Sequence, residues 1–231
     1  GERFANPLIE QNGNFLPRDE NSYGPDIVSD YAVEFIKRNK DNPFFIYYPM
    51  LLVHDPFVPT PDSPEWSSIE TRSTPDTRYF IDMVNYMDKI VGKIINELKQ
   101  QGVFENTLLI FVGDNGTPRQ ITSNTINDTI PGGKGLTNKT GVNVPMVVSW
   151  PSKIKNNSTN SDLITFADFY STFSDILGVP DESDGTSMMD IFSDNIINDR
   201  EIVSIFYNPL WGQNRAKNYF SQTVKYKLYK D

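Results

Sequence analysis

The sequence predicts an α/β fold: a mostly parallel sheet with helices on both faces, followed by the start of a small antiparallel sheet. Three observations carry this expectation. An aromatic and β-branched run at Phe44–Tyr48 comes first, then a long amphipathic stretch ending at Leu98, then six strand formers at Thr107–Val112. Strand, helix, strand in that order is the crossover unit that joins parallel neighbours. The composition is that of a globular chain, with 38% hydrophobic and 13% aromatic residues, and 14 Gly and 16 Pro near their ordinary combined share of about 12%. Its 231 residues are enough for one large domain or one and a half.

Taken in order, residues 1–25 hold Asn6-Pro7, Asn12-Gly13-Asn14, Pro17 and Gly24-Pro25 without a sustained period, and read as an irregular lead-in. From Asp26, the apolar set Ile27, Tyr31, Val33, Phe35 and Ile36 recurs mostly at helical spacing. It ends in Lys37, Arg38 and Lys40, cations that suit a helix C-terminus. Asp41-Asn42-Pro43 breaks that helix before the buried strand 44–48. Six prolines between Pro49 and Pro75 make the next segment a long surface loop. Thr74-Pro75-Asp76 then reads as a cap, a first-turn proline and a first-turn acid. Behind it Phe80, Met83, Val84, Met87, Ile90, Val91, Ile94, Ile95 and Leu98 repeat at three and four residues until Gly102. Strand 107–112 is punctuated by Gly113-Asp114-Asn115-Gly116. A polar loop runs from Thr117 to Gly141, and a further strand fills Val144–Trp150. Leu163–Leu177 patterns as a short strand and a helix closed by Gly178. Ile202–Tyr207, Tyr219–Val224 and Tyr226–Tyr229 pattern as antiparallel strands. A domain change is expected near residue 195, dividing the chain into 1–195 and 196–231.

Charge and composition exclude several classes of function. Thirty acidic against twenty-one basic residues give a net charge of −9, and the basic residues are scattered, which argues against a nucleic-acid groove held by phosphate contacts. The longest charge-free apolar stretch, Phe44–Val53, is ten residues long, against about 20 for a membrane-spanning helix. With no cysteine there are no disulfides, zinc-thiolate sites or thiol nucleophiles. The chain opens Gly1-Glu2-Arg3, with neither an initiator Met nor a signal sequence, and reads as a processed or cut piece.

Three places carry candidate chemistry. Asp114-Asn115 directly follows a buried strand, where open α/β sheets place their ligands, and offers a carboxylate and an amide oxygen of the kind Ca²⁺ or Mg²⁺ takes. Asp-Asn-Gly is equally a strong turn signal. His54 is the single histidine, the one side chain whose ordinary titration falls near neutrality; it also fits a loop residue capping a turn beside Pro56. Lys134 lies within Gly132-Gly133-Lys134-Gly135, where glycines let the backbone approach an anion and the ammonium meets it as a point charge. A solvated loop lysine is the other reading.

Five motifs follow one another in a linked order: Asn42-Pro43-Phe44-Phe45 to His54-Asp55-Pro56-Phe57, a helix with Met87-Asp88, Glu105-Asn106-Thr107-Leu108 to Gly113-Asp114-Asn115-Gly116, Gly132-Gly133-Lys134-Gly135, and Val144-Pro145-Met146 with Trp150-Pro151. That order resembles the sulfatase family. The match covers about residues 26–195. It implies an alkaline-phosphatase-like α/β fold whose C-terminal end begins a small sheet, and a sulfuric ester hydrolase acting on an aryl or carbohydrate sulfate. By the same resemblance Asp114 and Asn115 are metal ligands, with Ca²⁺ the expected ion and Mg²⁺ the alternative. His54 contacts the leaving oxygen, Lys134 binds the sulfate and assists the leaving group, and the location is periplasmic or secreted.

The chain also departs from the family pattern. The family's formylglycine nucleophile arises from Cys or Ser in a Cys/Ser-x-Pro-x-Arg setting. The nearest string here is Ser73-Thr74-Pro75-Asp76-Thr77, with Thr77 where Arg is required, and it stands out of order. The Asp pair that completes the metal site does not occur either. Lys139-Thr140-Gly141-Val142-Asn143-Val144-Pro145 replaces the usual Glu-Gly-Gly-x-Arg-Val-Pro. The expectation is a sulfatase fragment, inactive alone for want of its nucleophile. A phosphodiesterase or phosphonate hydrolase of the same superfamily, or a non-catalytic binding module with the same fold, are the alternatives.

Overall fold

The structure is a computed structural model that describes residues 3–194, 200–208 and 218–230. The chain forms two compact units, one of residues 1–107 with 111–146, the other of 108–110 with 147–231. The domain change expected near residue 195 lies outside the described residues.

The first unit opens with a small hairpin, β1 (Glu10–Gln11) and β2 (Asn14–Phe15), paired antiparallel with Glu10 opposite Phe15. Asn12 and Gly13 form its two-residue loop with φ of 53° and 80°, the left-handed pair that such a tight turn needs. The irregular lead-in expected for residues 1–25 is therefore partly ordered. The first helix, α1 (Gly24–Asn39), has Pro25 in its first turn and Lys37 and Arg38 in its last.

Phe44–Tyr48 does not form a strand, which corrects the first strand of the expected crossover unit. Phe45 and Tyr47 are exposed, whereas Tyr48 packs against the core and Phe44 meets Phe35 of α1 edge-on at 6.2 Å. Hydrophobic side chains anchor the run without ladder hydrogen bonds. The principal helix, α2 (Tyr79–Gln100), starts later than the Thr74 cap suggests. Asp76 turns the chain in instead: its N–H donates to Phe57 O at 2.9 Å and its carboxylate accepts the Arg78 N–H at 2.9 Å. Such an Asx turn competes with a helical start and delays it.

Tyr79, Met83, Tyr86 and Ile90 of α2 are buried with Phe4, Tyr23, Leu52, Phe57, Val58 and Ile121. The helical spacing thus delivers one continuous apolar stripe to the core. Tyr23 stands edge-on to Trp66 and Tyr86 at 5.3 and 5.1 Å. Between α1 and α2, the Tyr86 hydroxyl donates to both Asp26 carboxylate oxygens at 2.8 and 2.9 Å, and Lys93 pairs with Asp30 at 2.6 Å. Burial pushes the Asp26 carboxyl up from its ordinary value, with the Tyr86 hydrogen bond and Lys93 pulling it back.

Two strands follow α2 in chain order, β3 (Leu109–Val112) and then the short β4 (Thr122–Asn124), which pairs antiparallel with β5 (Thr129–Pro131). The polar loop expected over 117–141 therefore contains a hairpin, and also a single helical turn, α3 (Lys139–Val142). Strand β6 (Met146–Ser149) neighbours β3 in a two-stranded sheet.

In the second unit, α4 (Ala167–Leu177) ends at Gly178, whose φ of 64° is the left-handed cap. The short strand expected just before it is absent, and residues 163–165 are irregular. After α5 (Met189–Asp194) come β7 (Val203–Tyr207), β8 (Asn218–Gln222) and β9 (Lys227–Tyr229) in one antiparallel sheet, as expected. Asp168 has a fully buried side chain and grips Arg200 through two contacts of 2.5 and 2.6 Å. It also accepts the backbone N–H groups of Thr165 at 2.7 Å and Thr186 at 2.9 Å. Among the described residues, no helix is long and apolar enough to cross a membrane.

Candidate active site

The sequence singles out His54, Asp114, Asn115 and Lys134, all in the first unit. The local chain explains the position of each. A tight turn closed by the His54 N–H on Leu51 O at 2.8 Å sets His54 beside Leu52, Phe57 and Val58, which are buried in the core. The imidazole is carried on this anchored turn with 44% of its side chain exposed. A loop on a buried anchor is a usual way to hold a reactive group at a surface.

Lys134 is held by backbone. Its N–H donates to Thr117 O at 2.9 Å, its carbonyl accepts from Arg119 Nε at 3.3 Å, and Leu136 N–H closes the turn on Gly133 O at 2.8 Å. The glycines are required by this packing. A Cβ on Gly133 would overlap Thr140, and one on Gly116 would overlap the Thr140 carbonyl and the Gly141 backbone. Loops 113–118, 132–136 and 140–141 therefore lie backbone against backbone, with the Gly116 N–H donating to Gly141 O at 3.0 Å.

The Lys134 ammonium lies 3.1 Å from His54 Nε2, joining residues 80 positions apart. Among the described residues no carboxylate pairs with Lys134, and its ammonium meets the imidazole. On the other edge of the ring, Nδ1 lies 2.7 Å from the Asp55 carbonyl, 3.0 Å from Asp55 Oδ1 and 3.0 Å from Arg3 Nη1. Neither Arg3 nor the role of Asp55 was visible from sequence spacing. Arg3 is 51 residues from His54 and sits in the irregular lead-in, where no pattern marks it.

Asp114 and Asn115 are exposed in the loop that leaves β3. Gly113 N–H donates to Pro145 O at 3.0 Å, and the Asn115 amide donates to Asp114 Oδ1 at 3.0 Å and to Gly116 O at 3.3 Å. These bonds use the amide N–H groups and one carboxylate oxygen. The Asn115 Oδ1 and the second Asp114 oxygen remain as hard oxygen donors, which fits part of a Ca²⁺ or Mg²⁺ site. The Asp-Asn-Gly segment forms a bend here, and the two oxygens left over are what a ligand reading would use. Among the described residues no three His, Cys, Asp or Glu side chains gather as a metal site. No hydrogen bond links this pair to His54 or Lys134, although one loop system carries Asp114, Asn115 and Lys134.

Residues 5–179 match the Sulfatase family model, and residues 133–230 match the model described as N-sulphoglucosamine sulphohydrolase, C-terminal. An N-acetylgalactosamine-6-O-sulfatase of Bacteroides thetaiotaomicron is 30% identical over 67% of this chain and 30% of its own length. A sulfatase of Formosa agariphila is 29% identical over 82% of this chain and 36% of its own. The chain therefore spans about a third of the length of these relatives. Among solved structures, that of Ps i-CgsB is similar with a TM-score of 0.79 and 26% identity, over 97% of this chain and 49% of that one. The complex of BT4656 with its substrate D-glucosamine-2-N,6-O-disulfate has a TM-score of 0.75 and 16% identity, over 98% of this chain and 64% of that one, a likeness of fold.

Proposed function

Because the chain belongs to the sulfatase family, whose model covers residues 5–179, we propose that it carries the leaving-group side and one edge of the metal site of a sulfuric ester hydrolase. The observation that carries this reading is the Lys134 ammonium poised 3.1 Å from His54 Nε2 without a carboxylate of its own. A cation held by backbone, with no carboxylate pairing it among the described residues, is suited to receive an anion.

The chemistry follows from where charge develops. Cleaving a sulfate monoester leaves negative charge on the bridging oxygen. A point charge on the sulfate and a proton donor at the leaving oxygen lower that barrier together. Lys134 supplies the first. His54 supplies the second through Nε2, the nitrogen that faces the same space. Asp114 and Asn115 would hold one side of a divalent cation, Ca²⁺ or Mg²⁺, which when bound supplies further positive charge at the sulfate oxygens. Two oxygen ligands are few for a cation that takes six to eight, so the remaining ligands and the formylglycine nucleophile belong to other parts of the whole protein in this reading.

A sulfated sugar is the substrate class these relatives point to, since one is named an N-acetylgalactosamine-6-O-sulfatase and another was solved with a glucosamine disulfate. The test is hydrolysis by the natural protein that contains these residues, with two substrates. His54→Ala is expected to slow a sugar sulfate, whose leaving alcohol is poor, by about 10²- to 10⁴-fold, and an activated aryl sulfate by much less. The 231-residue chain assayed alone is expected to show no turnover. Equal losses on both substrates remove the leaving-group role from His54, and turnover that follows the isolated chain through purification overturns the division of labour.

A further inference from the structure

The hydrogen bonds around the single imidazole cannot all be satisfied at once. A neutral imidazole has one N–H and one lone pair, and an imidazolium has two N–H groups and no lone pair. On Nε2, the Lys134 ammonium can only donate, so it requires the lone pair there. On Nδ1, the Asp55 carbonyl at 2.7 Å and carboxylate at 3.0 Å can only accept, so they require the proton there. These demands agree, and both favour Nδ1–H. The Arg3 guanidinium, also 3.0 Å from Nδ1, has five donors and no lone pair, and requires the opposite. Its other recorded hydrogen bond, to Asp55 O at 3.3 Å, draws on the acceptor that His54 would use.

We infer that Arg3 and Asp55 are a pair of positioning residues that decide which nitrogen of His54 carries the proton, and that anion binding at Lys134 tips the balance toward Arg3. Without an anion, Lys134 and Asp55 together hold the proton on Nδ1, and Nε2 faces the site as an acceptor, the wrong form for a proton donor. An anion that accepts from the Lys134 ammonium releases the Nε2 lone pair and offers an acceptor to Nε2. Arg3 then holds the lone pair on Nδ1, and the proton sits on Nε2, facing the leaving oxygen. No group is oxidised or reduced, and one proton changes nitrogen through solvent. Among the described residues, the charged groups in contact with the ring are Arg3, Asp55 and Lys134. Arg119 adds a contact to the Lys134 carbonyl.

The second half of this inference rests on the proposed sulfatase reading, and the first half does not. The test uses the fact that the chain has one histidine, so a long-range ¹H–¹⁵N correlation spectrum of the ¹⁵N-labelled chain shows one imidazole and reports its tautomer directly. Spectra of all variants are recorded at about pH 8.5, on the basic side of the ordinary imidazole range. Arg3→Met is expected to raise the ratio of Nδ1–H to Nε2–H by roughly two- to fivefold, the scale of one half-exposed hydrogen bond, and Asp55→Ala to lower it by a similar factor. Arg3→Lys, which keeps a donor and a charge, is expected to return the ratio toward that of the unaltered chain. Shifts in the same direction, or none, overturn the pair. Inorganic sulfate is then added. The unaltered chain is expected to move to Nε2–H, and Arg3→Met to stay at Nδ1–H. If the sulfate-free shifts appear but sulfate moves neither protein, the anion site at Lys134 fails while the positioning pair stands. If sulfate moves both proteins equally, Arg3 is not the group that responds.

Discussion

The two units place a cation and a carboxylate in opposite situations. Around Asp168 every demand agrees: the side chain is fully buried, Arg200 approaches through two nitrogens, and the Thr165 and Thr186 N–H groups complete the set. Around His54 the demands conflict, the ring and Asp55 are 44% and 51% exposed, and among the described residues no carboxylate pairs with Lys134. A satisfied, buried network resists change and specifies one arrangement, whereas an unsatisfied, half-exposed one can respond to a ligand. Strength of charge does not separate these two clusters; completeness of their hydrogen bonding does.

The largest expected effect lies in the buried network. Asp168→Asn keeps the shape but removes the buried negative charge that Arg200, with 13% of its side chain exposed, meets through two nitrogens. It also turns an amide N–H against a backbone N–H that the carboxylate had accepted. Breaking a buried pair from one side costs about 3–5 kcal/mol. Chemical denaturation followed by far-UV circular dichroism is expected to show a loss at the lower end of that range. A loss below about 1 kcal/mol would mean that water reaches the pair and that the contrast with His54 is one of degree.

A smaller effect distinguishes the same network by pH. Burial alone would raise the Asp168 carboxyl, but the Arg200 hydrogen bonds and the two backbone N–H groups outweigh it and hold the group below its ordinary value. A depressed carboxyl stabilises the fold above its unfolded value, near 4, and that contribution is lost as pH falls through the folded value. The stability difference between the unaltered chain and Asp168→Asn is therefore expected to be constant from about pH 5 to 8 and to shrink below about pH 4. Asp26 acts with the opposite sign. Its raised carboxyl makes its contribution largest at low pH and lost as pH rises, so it does not imitate the Asp168 signature.

The same contrast explains what the sequence revealed. Helix α2 was legible because its apolar residues repeat at one period over 22 positions, and burial of that stripe decides the structure. The run Phe44–Tyr48 was misread because a short apolar stretch says that something is buried and not whether a ladder forms. The hairpins β1–β2 and β4–β5 were missed because exposed short strands carry little hydrophobic alternation, although Asn12-Gly13 was a usable turn signal. At the candidate site, Asp114, Asn115, His54 and Lys134 were proposed through motif order. Arg3 was not, because its contact with the imidazole is made by tertiary folding across 51 residues and leaves no local pattern. Arg200 was missed for the same reason, 32 residues from Asp168.

The smallest expected effect is the most discriminating. If the His54 cluster is kept for response and not for stability, removing its members should hardly disturb the fold. His54→Ala deletes a side chain that is 44% exposed and whose contacts pull in opposite directions. The hydrogen bonds lost include one donor demand or the other that was never met. Surface substitutions of this kind fall within about 0.5 kcal/mol of zero, and Lys134→Ala should match, since the backbone bond from its N–H to Thr117 O is kept. Denaturation midpoints of both variants are expected to coincide with that of the unaltered chain, while the tautomer response to sulfate disappears from Lys134→Ala. A loss above about 1.5 kcal/mol in either variant would place the cluster in the same class as Asp168 and Arg200, and would take away the ground for reading its conflicting hydrogen bonds as a functional device.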